Sequence, residues 1–138
     1  MPEKKTIEEA RRLRRAGKAP TTQAGPFVKE EIEHVREGKH GARSTRQAIA
    51  IGLSKARRAG VPLPPPKKGR TSERTRKSAA RAYEVGQGLR KPRTRSSKRS
   101  RAVLKALRRE PRRSVSRKAL SRHAKRAAAT RRRRGTVS

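Results

Sequence analysis

Residues 44–60 read STRQAIAIGLSKARRAG, and in this stretch a complete helix signature coincides with a run of aliphatic side chains. Ser44 and Gln47 have the spacing of a capping box, in which each side chain satisfies a backbone N–H at the start of a helix. Ile49, Leu53 and Ala56 then recur at i, i+4 and i+7, so one face of the predicted helix is apolar. We therefore expect this helix to pack against another element.

The same stretch contains a stop signal and one anomaly. Gly60 stands where helices commonly end in a left-handed residue, and Pro62 cannot continue a helix. Gly52 lies inside the predicted helix, where glycine costs about 1 kcal/mol relative to alanine. We interpret Gly52 either as a close backbone contact with a second helix or as a residue without a role.

A second helix is predicted immediately upstream, with Pro26 at its first position and Gly38 after its end. Together the two helices predict an αα-hairpin over about 26–61. The predicted helical core of this hairpin is Phe27, Val28, Ile32, Val35, Ile49, Leu53 and Ala56. Because isolated domains below about 40 residues usually need additional stabilisation, we expect a homodimer through residues 26–61 or folding on a partner.

The hairpin is preceded by one further predicted helix and carries most of the acidic residues. Thr6 and Glu9 repeat the capping-box spacing, and Gly17 ends a short, weakly amphipathic first helix. Four glutamates are predicted on the exposed side of the second helix, where they can pair with arginines of the third. These glutamates are Glu30, Glu31, Glu33 and Glu37, and the candidate partners are Arg46, Arg57 and Arg58.

The predicted fold class is mostly α, and the domain organisation follows from a change of composition. Residues 1–61 form a small helical module, and the proline run in 62–69 favours an extended linker. Residues 70–138 form a basic arm with three helix-forming segments, 72–85, 100–109 and 116–130. Arginine-dense segments repel themselves in water. We therefore expect the arm to be disordered or conditionally helical.

The charge of the chain points to a polyanionic partner. Its 43 Lys and Arg against 10 Asp and Glu give a formal charge of +33, and only three of the acids lie beyond residue 37. Arginine outnumbers lysine by 29 to 14, and a guanidinium group can donate two parallel hydrogen bonds to one phosphate. The predicted nucleic-acid-binding residues are Arg70, Arg74, Arg76, Arg81, Arg93, Arg95, Arg99, Arg101, Arg108, Arg109, Arg112, Arg113, Arg117, Arg122, Arg126, Arg131, Arg132, Arg133 and Arg134.

Other function classes find little support in the sequence. The histidines His34, His40 and His123 do not have the spacing of a metal site, and cysteine is absent. No catalytic motif is present, so we predict no catalytic residue, no metal, no cofactor and no small-molecule substrate. Neither a membrane span nor a secretory signal is indicated. The expected location is the cytoplasm, at the nucleoid.

Two resemblances accompany these patterns. Residues 30–60, EEIEHVREGKHGARSTRQAIAIGLSKARRAG, resemble an uncharacterised family of small basic bacterial and phage proteins with a block of the form RxQAIAIGLSxARxAG. That family is a domain of unknown function, so the resemblance implies a bacterial source and no particular activity. The arm resembles the basic tails of linker-histone-like proteins, but it is rich in arginine where those tails use lysine, alanine and proline.

The sequence thus predicts a non-enzymatic, nucleoid-associated, histone-like protein that binds DNA through its phosphates without reading sequence. An RNA-binding or ribosome-associated protein is the first alternative, and composition does not separate the two. The near absence of aromatic residues argues against single-strand stacking surfaces. A protein-interaction or dimerisation module tethered to nucleic acid is the second alternative.

Overall fold

A computed structural model describes residues 2–94 and 96–136 of the 138-residue chain. Over these residues the protein contains α-helices and one short 3₁₀ helix and no strand, which confirms the mostly α fold class. The helices are α1 (Lys4–Arg15), α2 (Pro20–Arg36), α3 (Thr45–Arg58), α4 (Glu73–Gly86), α5 (Ser97–Arg109), the 3₁₀ helix (Arg113–Val115) and α6 (Arg117–Thr136).

The chain divides into two compact units that do not follow the predicted boundaries at 61 and 70. Unit one comprises Met1–Glu31 and Ile49–Ser96, and unit two comprises Ile32–Ala48 and Ser97–Ser138. Helices α2 and α3 therefore contribute their residues to both units, and each unit also includes part of the basic arm.

Unit one has a small core in which alanines are prominent. The core consists of Ala10, Ala24, Phe27, Ala56, Val61 and Leu63, with Ile7 and Leu53 packed against it. Of the predicted hairpin core, Phe27, Leu53 and Ala56 lie here. Val61 and Leu63 come from the proline-rich segment, so the start of the predicted linker is part of the folded unit.

Unit two has a second core, formed by Val35, Ala42, Ala48 and Val115 with Ile32 packed against it. The prediction of a single hairpin core was wrong, because Ile32 and Val35 pack here and not with Phe27. Two further predicted core residues, Val28 and Ile49, are only half-buried and belong to neither cluster. Val115 is fully buried although it belongs to the predicted arm.

Helix α3 begins and ends as predicted. The Ser44 hydroxyl accepts a hydrogen bond from the Gln47 N–H at 3.1 Å, and the Gln47 side-chain carbonyl accepts from the Arg43 N–H at 2.6 Å. The reciprocal bond of the capping box thus lands one residue upstream of the cap. At the other end Gly60 has φ +105°, and the Val61 N–H donates to the Ala56 carbonyl at 3.1 Å.

At Gly52 the backbones of α3 and α2 come close together within unit one. A methyl group at this position would lie 2.7 Å from the Val28 Cα, closer than two carbon atoms can pack. This proximity confirms the first interpretation of Gly52, a close backbone contact with a second helix.

The predicted start of α2 was wrong. The helix begins at Pro20, which takes the favourable first position, and Pro26 lies inside it. An interior proline removes the hydrogen bond to the carbonyl four residues earlier. Here that residue is Thr22, which is exposed, so solvent reaches the unpaired carbonyl.

The capping box predicted at Thr6 was also wrong, because α1 begins at Lys4 and Thr6 is buried. The Thr6 hydroxyl instead donates to Glu30 Oε1 at 3.2 Å, and the same oxygen accepts the Glu3 N–H at 2.7 Å. Glu30 of α2 therefore satisfies the first turn of α1. Glu9, the other half of the predicted box, pairs with Arg12 at 2.6 Å.

The prediction that the glutamates of α2 lie on its exposed side was wrong for two of them. Glu30 and Glu31 are 3% and 1% exposed. Lys55 Nζ donates to Glu31 Oε2 at 2.6 Å, so a lysine that the sequence had not indicated pairs with this carboxylate in unit one. Because this pair lies inside the unit, its strength depends more on its geometry than the strength of an exposed ion pair does.

Arg57, a predicted ion-pair partner, binds backbone carbonyls. Its Nε donates to the Leu63 carbonyl at 3.2 Å and its Nη2 to the Pro64 carbonyl at 3.1 Å. The residue is buried, and this burial lowers the pKa of the guanidinium below its ordinary value. Arg57 thereby fastens the first residues of the proline run to the end of α3.

We expect Arg57→Lys to destabilise the protein by about 1–2 kcal/mol, because an ammonium cannot reproduce the two forked bonds to the carbonyls of the buried Leu63 and of Pro64. The urea midpoint of unfolding, followed by circular dichroism, measures this loss. Arg58→Lys is the matched control, because Arg58 is the exposed neighbour on the same helix and its guanidinium donates to Ser54 within that helix. Equal shifts for the two variants would contradict the role assigned to Arg57.

The arm was expected to be disordered or conditionally helical, and its described residues are helical: they form α4, α5, the 3₁₀ helix and α6. The serines that precede two of these helices cap them: Ser72 Oγ accepts from the Thr75 N–H at 3.2 Å, and Ser116 Oγ accepts from the Ala119 N–H at 3.1 Å. Small buried residues explain why the arm folds, because Ala79 and Ala82 let α4 pack closely in unit one.

Candidate nucleic-acid interface

The structure distributes the predicted arginines over every element of the arm. Those that it describes are exposed, except for the half-buried Arg76 and Arg81, and Arg95 lies outside the described residues. Arg70 precedes α4, Arg74, Arg76 and Arg81 lie on α4, Arg93 follows it, Arg99, Arg101, Arg108 and Arg109 lie on α5, Arg112 and Arg113 lie at the 3₁₀ helix, and Arg117, Arg122, Arg126, Arg131, Arg132, Arg133 and Arg134 lie on α6.

Carboxylates neutralise few of these charges. The arm has three acidic residues, Glu73, Glu84 and Glu110. Glu73 binds Arg76 at 2.7 Å and Glu84 binds Arg90 at 2.9 Å. The hydrogen bond from Arg76 lowers the pKa of Glu73, so this carboxylate stays ionised at neutral pH. A large positive excess therefore remains on the helical surfaces.

Like charges also lie close together at the end of α4. Loss of solvent, together with the positive charges of Arg93 and Arg90, lowers the pKa of Arg81. Guanidinium groups that repel one another in this way gain stability when an anion binds among them.

A cleft in unit two gathers further cations. It has a volume of about 560 Å³ and lies between the first turn of α3 and one face of α6. Its lining residues are Ser44, Thr45, Arg46, His123, Arg126, Ala127, Thr130, Arg131 and Arg134. The α6 residues recur at i, i+3, i+4, i+7, i+8 and i+11, which is the spacing of a single helix face.

Hydrogen bonds fix the two walls of this cleft within unit two. The Thr45 hydroxyl donates to the carbonyl of Ser114, which immediately precedes the buried Val115. Arg36 Nε and Nη2 both donate to the Val115 carbonyl at 3.3 Å. The 3₁₀ helix that leads into α6 is thus tied both to α3 and to α2.

Four arginines line the cleft, namely Arg46, Arg126, Arg131 and Arg134. Over residues 2–94 and 96–136, none of the four forms an ion pair with a carboxylate. Sequence reasoning named Arg126, Arg131 and Arg134 individually and assigned Arg46 to a glutamate. The helical row from 123 to 134 was visible in the sequence, but its opposing wall was not.

Two of the three histidines lie close together, and the third lines the cleft. The rings of His34 and His40 in unit two meet edge to face with centroids 6.4 Å apart, and both residues are half-buried. His123 lines the cleft. Because four arginines line the same cleft, His123 adds a side chain with hydrogen-bonding nitrogens to a cationic lining.

None of the helices in the described part of the chain combines the length and the apolar character needed to cross a bilayer. Comparison with curated proteins and with solved structures found no match. Comparison with protein families found one match. It covers the N-terminal segment, which contains α1 to α3 and the proline run. Residues 3–68 match DUF6496, a family of unknown function, and the resemblance to an uncharacterised family is thereby confirmed.

Proposed function

We propose that this chain is a non-enzymatic, DNA-binding protein of the bacterial nucleoid that neutralises backbone phosphates without reading base sequence. The observation that carries the proposal is the set of exposed, arginine-rich helix surfaces, on α4 in unit one and on α5 and α6 in unit two, in an arm with only three acidic residues. Such a surface attracts a polyanion strongly and over long range.

The helical state of the arm supports duplex binding. A folded helix presents its guanidinium groups at fixed spacings, so binding orders fewer residues than it would in a disordered tail. Phosphate contacts of this kind position a protein on the duplex but carry no sequence information. The proposed binding is therefore tight, salt-dependent and tolerant of sequence.

The aromatic residues favour a duplex over a single strand. Proteins that bind single strands stack bases on exposed aromatic side chains. Phe27 is 1% exposed and belongs to the core of unit one, and Tyr83 is half-buried on α4. Phe27 therefore offers no ring face for stacking, which leaves Tyr83 as the single Phe, Tyr or Trp side chain with partial access to solvent.

The distribution of exposed apolar residues bears on the proposed homodimer. Among the described residues, the large exposed apolar side chains are Leu89, Val103 and Leu104. All three lie outside residues 26–61, whose larger apolar side chains are buried or half-buried. We therefore place nucleic acid ahead of a second copy of the chain as the principal partner.

Competition between nucleic acids tests this proposal. The full chain is bound to a short labelled DNA duplex and challenged with unlabelled duplex or with ribosomal RNA at equal phosphate concentration. We expect the DNA duplex to compete at least as well as the RNA. A tenfold or greater advantage for RNA would replace the proposal with an RNA-binding or ribosome-associated function, and no binding of either would overturn it altogether.

A further inference from the structure

We propose that the cleft between the first turn of α3 and α6 is a defined binding site for one phosphate group of the bound nucleic acid. The guanidinium groups of Arg46, Arg126, Arg131 and Arg134 are its donors. This inference rests on the proposed function and refines it, because it distinguishes one defined phosphate contact from the diffuse contacts made by the other arginines.

Uncompensated charge is the first reason for this assignment. The four arginines converge on one concave space, and within residues 2–94 and 96–136 no carboxylate pairs with them. A cleft lined with one sign of charge concentrates the electric field more than a convex surface does. An anion placed there relieves the repulsion among the guanidinium groups and receives several hydrogen bonds at once.

The chemistry of the lining selects the guanidinium groups as the donors. The Ser44 hydroxyl is already engaged with the Gln47 N–H, and the Thr45 hydroxyl donates to the Ser114 carbonyl. The Thr130 hydroxyl donates to the Arg126 carbonyl at 3.0 Å. The hydroxyl protons of Thr45 and Thr130 are thus used internally, and the arginines are the charged donors of the lining.

The size of the cleft fits a phosphate together with its attached sugar. Pockets that hold small molecules typically enclose about 300–1,000 Å³, and this cleft has about 560 Å³. A phosphate alone would leave much of that space to water. The same chemistry also suits the phosphate of a free nucleotide, so the experiment must separate the two sources.

The sharpest test replaces arginine by lysine, since this change keeps every charge and removes only the forked geometry. The cleft variant is Arg126→Lys with Arg134→Lys, and the matched control is Arg122→Lys with Arg132→Lys on the same helix but outside the cleft. Binding of each full-length variant to a labelled DNA duplex is measured at physiological salt. Circular dichroism checks that both retain the helix content of the parent protein.

We expect the cleft variant to lose about tenfold in duplex affinity, because a point charge does not replace two parallel charge-assisted bonds. The control variant should change by less than about twofold, since diffuse phosphate neutralisation depends on charge alone. Equal losses of duplex affinity in both variants would overturn the proposal of a phosphate-binding site in the cleft and leave the proposed function standing. Failure of the parent protein to bind the duplex would instead overturn the proposed function.

A second arm of the experiment identifies the source of the phosphate. A nucleoside monophosphate is titrated into the parent protein and into the cleft variant by calorimetry. We expect weak binding in the parent protein, because a single nucleotide lacks the neighbouring phosphates that the rest of the arm contacts. The opposite result is tight nucleotide binding that is lost in the cleft variant while its duplex affinity is unchanged. That result would assign the cleft to a free nucleotide and overturn the proposal.

Discussion

The substitution Gly86→Ala is expected to destabilise the protein by about 3 kcal/mol, which corresponds to a fall of roughly 10 °C in Tm. A methyl group at Gly86 would lie 1.7 Å from the carbonyl oxygen of Arg57 and 3.1 Å from the Gly60 nitrogen. These are backbone atoms at the end of α3, so the clash cannot be relieved by rotating a side chain. The end of α4 must move away from α3 within unit one.

Gly25→Ala is the matched control for this experiment. Gly25 lies in α2, is exposed, and a methyl group there would meet no atom within 4 Å. Because alanine is the better helix former, this variant should gain about 0.5–1 kcal/mol. Thermal unfolding by circular dichroism compares the two. If Gly86→Ala unfolds at the same temperature as the parent protein, α4 does not pack on α3 as described.

The same reasoning applies to unit two. A methyl group at Gly41 would lie 1.7 Å from the Glu110 carbonyl oxygen, and the Gly41 N–H donates to the Leu107 carbonyl at 2.7 Å. Gly41 therefore joins the segment before α3 to the end of α5 through backbone contacts alone. If the arm did not pack against the rest of unit two, residue 41 would not need to be a glycine.

The second large effect concerns binding. We expect replacement of Arg131, Arg132, Arg133 and Arg134 by glutamine to weaken duplex affinity by on the order of 100-fold or more at physiological salt, because each lost phosphate contact reduces the salt slope by about 0.9. Glutamine is a good helix former, so α6 should persist. Fluorescence anisotropy at several salt concentrations measures both the affinity and the slope.

Four arginines of α1 supply the control for this variant, since Arg11, Arg12, Arg14 and Arg15 are equally numerous and equally exposed. Arg12 is already paired with Glu9 at 2.6 Å, and α1 lies outside the proposed interface. Glutamine at these four positions should lower the affinity far less. Equal losses would mean that duplex binding follows total charge and not the position of the arginines on α6.

Local signals in the sequence were sufficient to predict α3 and the helical segments of the arm. Ser44, Gly60, Ser72 and Ser116 each act within four or five residues of their own position, so their roles can be predicted without knowing the fold. The resemblance to a family of unknown function also rested on a contiguous stretch of sequence.

What could not be predicted depends on contacts between distant residues. The arm was expected to be disordered or conditionally helical because its average composition is so basic, but Ala79, Ala82 and Val115 are buried at the few positions where packing requires small or apolar residues. Similarly, Glu30 looked like a surface acid until the structure placed it against Thr6 of α1. Averages over a segment do not show which of its residues face inward.

The candidate cleft shows the same division. The row of residues from 123 to 134 follows the helical period and can be read from the sequence. Its opposing wall is Arg46 with the first turn of α3, which is brought there by the bond from Thr45 to Ser114, 69 positions apart in the chain. No local pattern indicates a pairing over that distance.

The salt dependence of duplex binding tests the central claim most directly, namely that the folded arm neutralises many phosphates at once. If about eight phosphates are neutralised, the affinity of the full chain should fall with a log–log slope near −7, or about 10⁴-fold between 50 and 200 mM salt. A slope shallower than about −2 would mean that no more than two phosphates are contacted, and it would contradict the account.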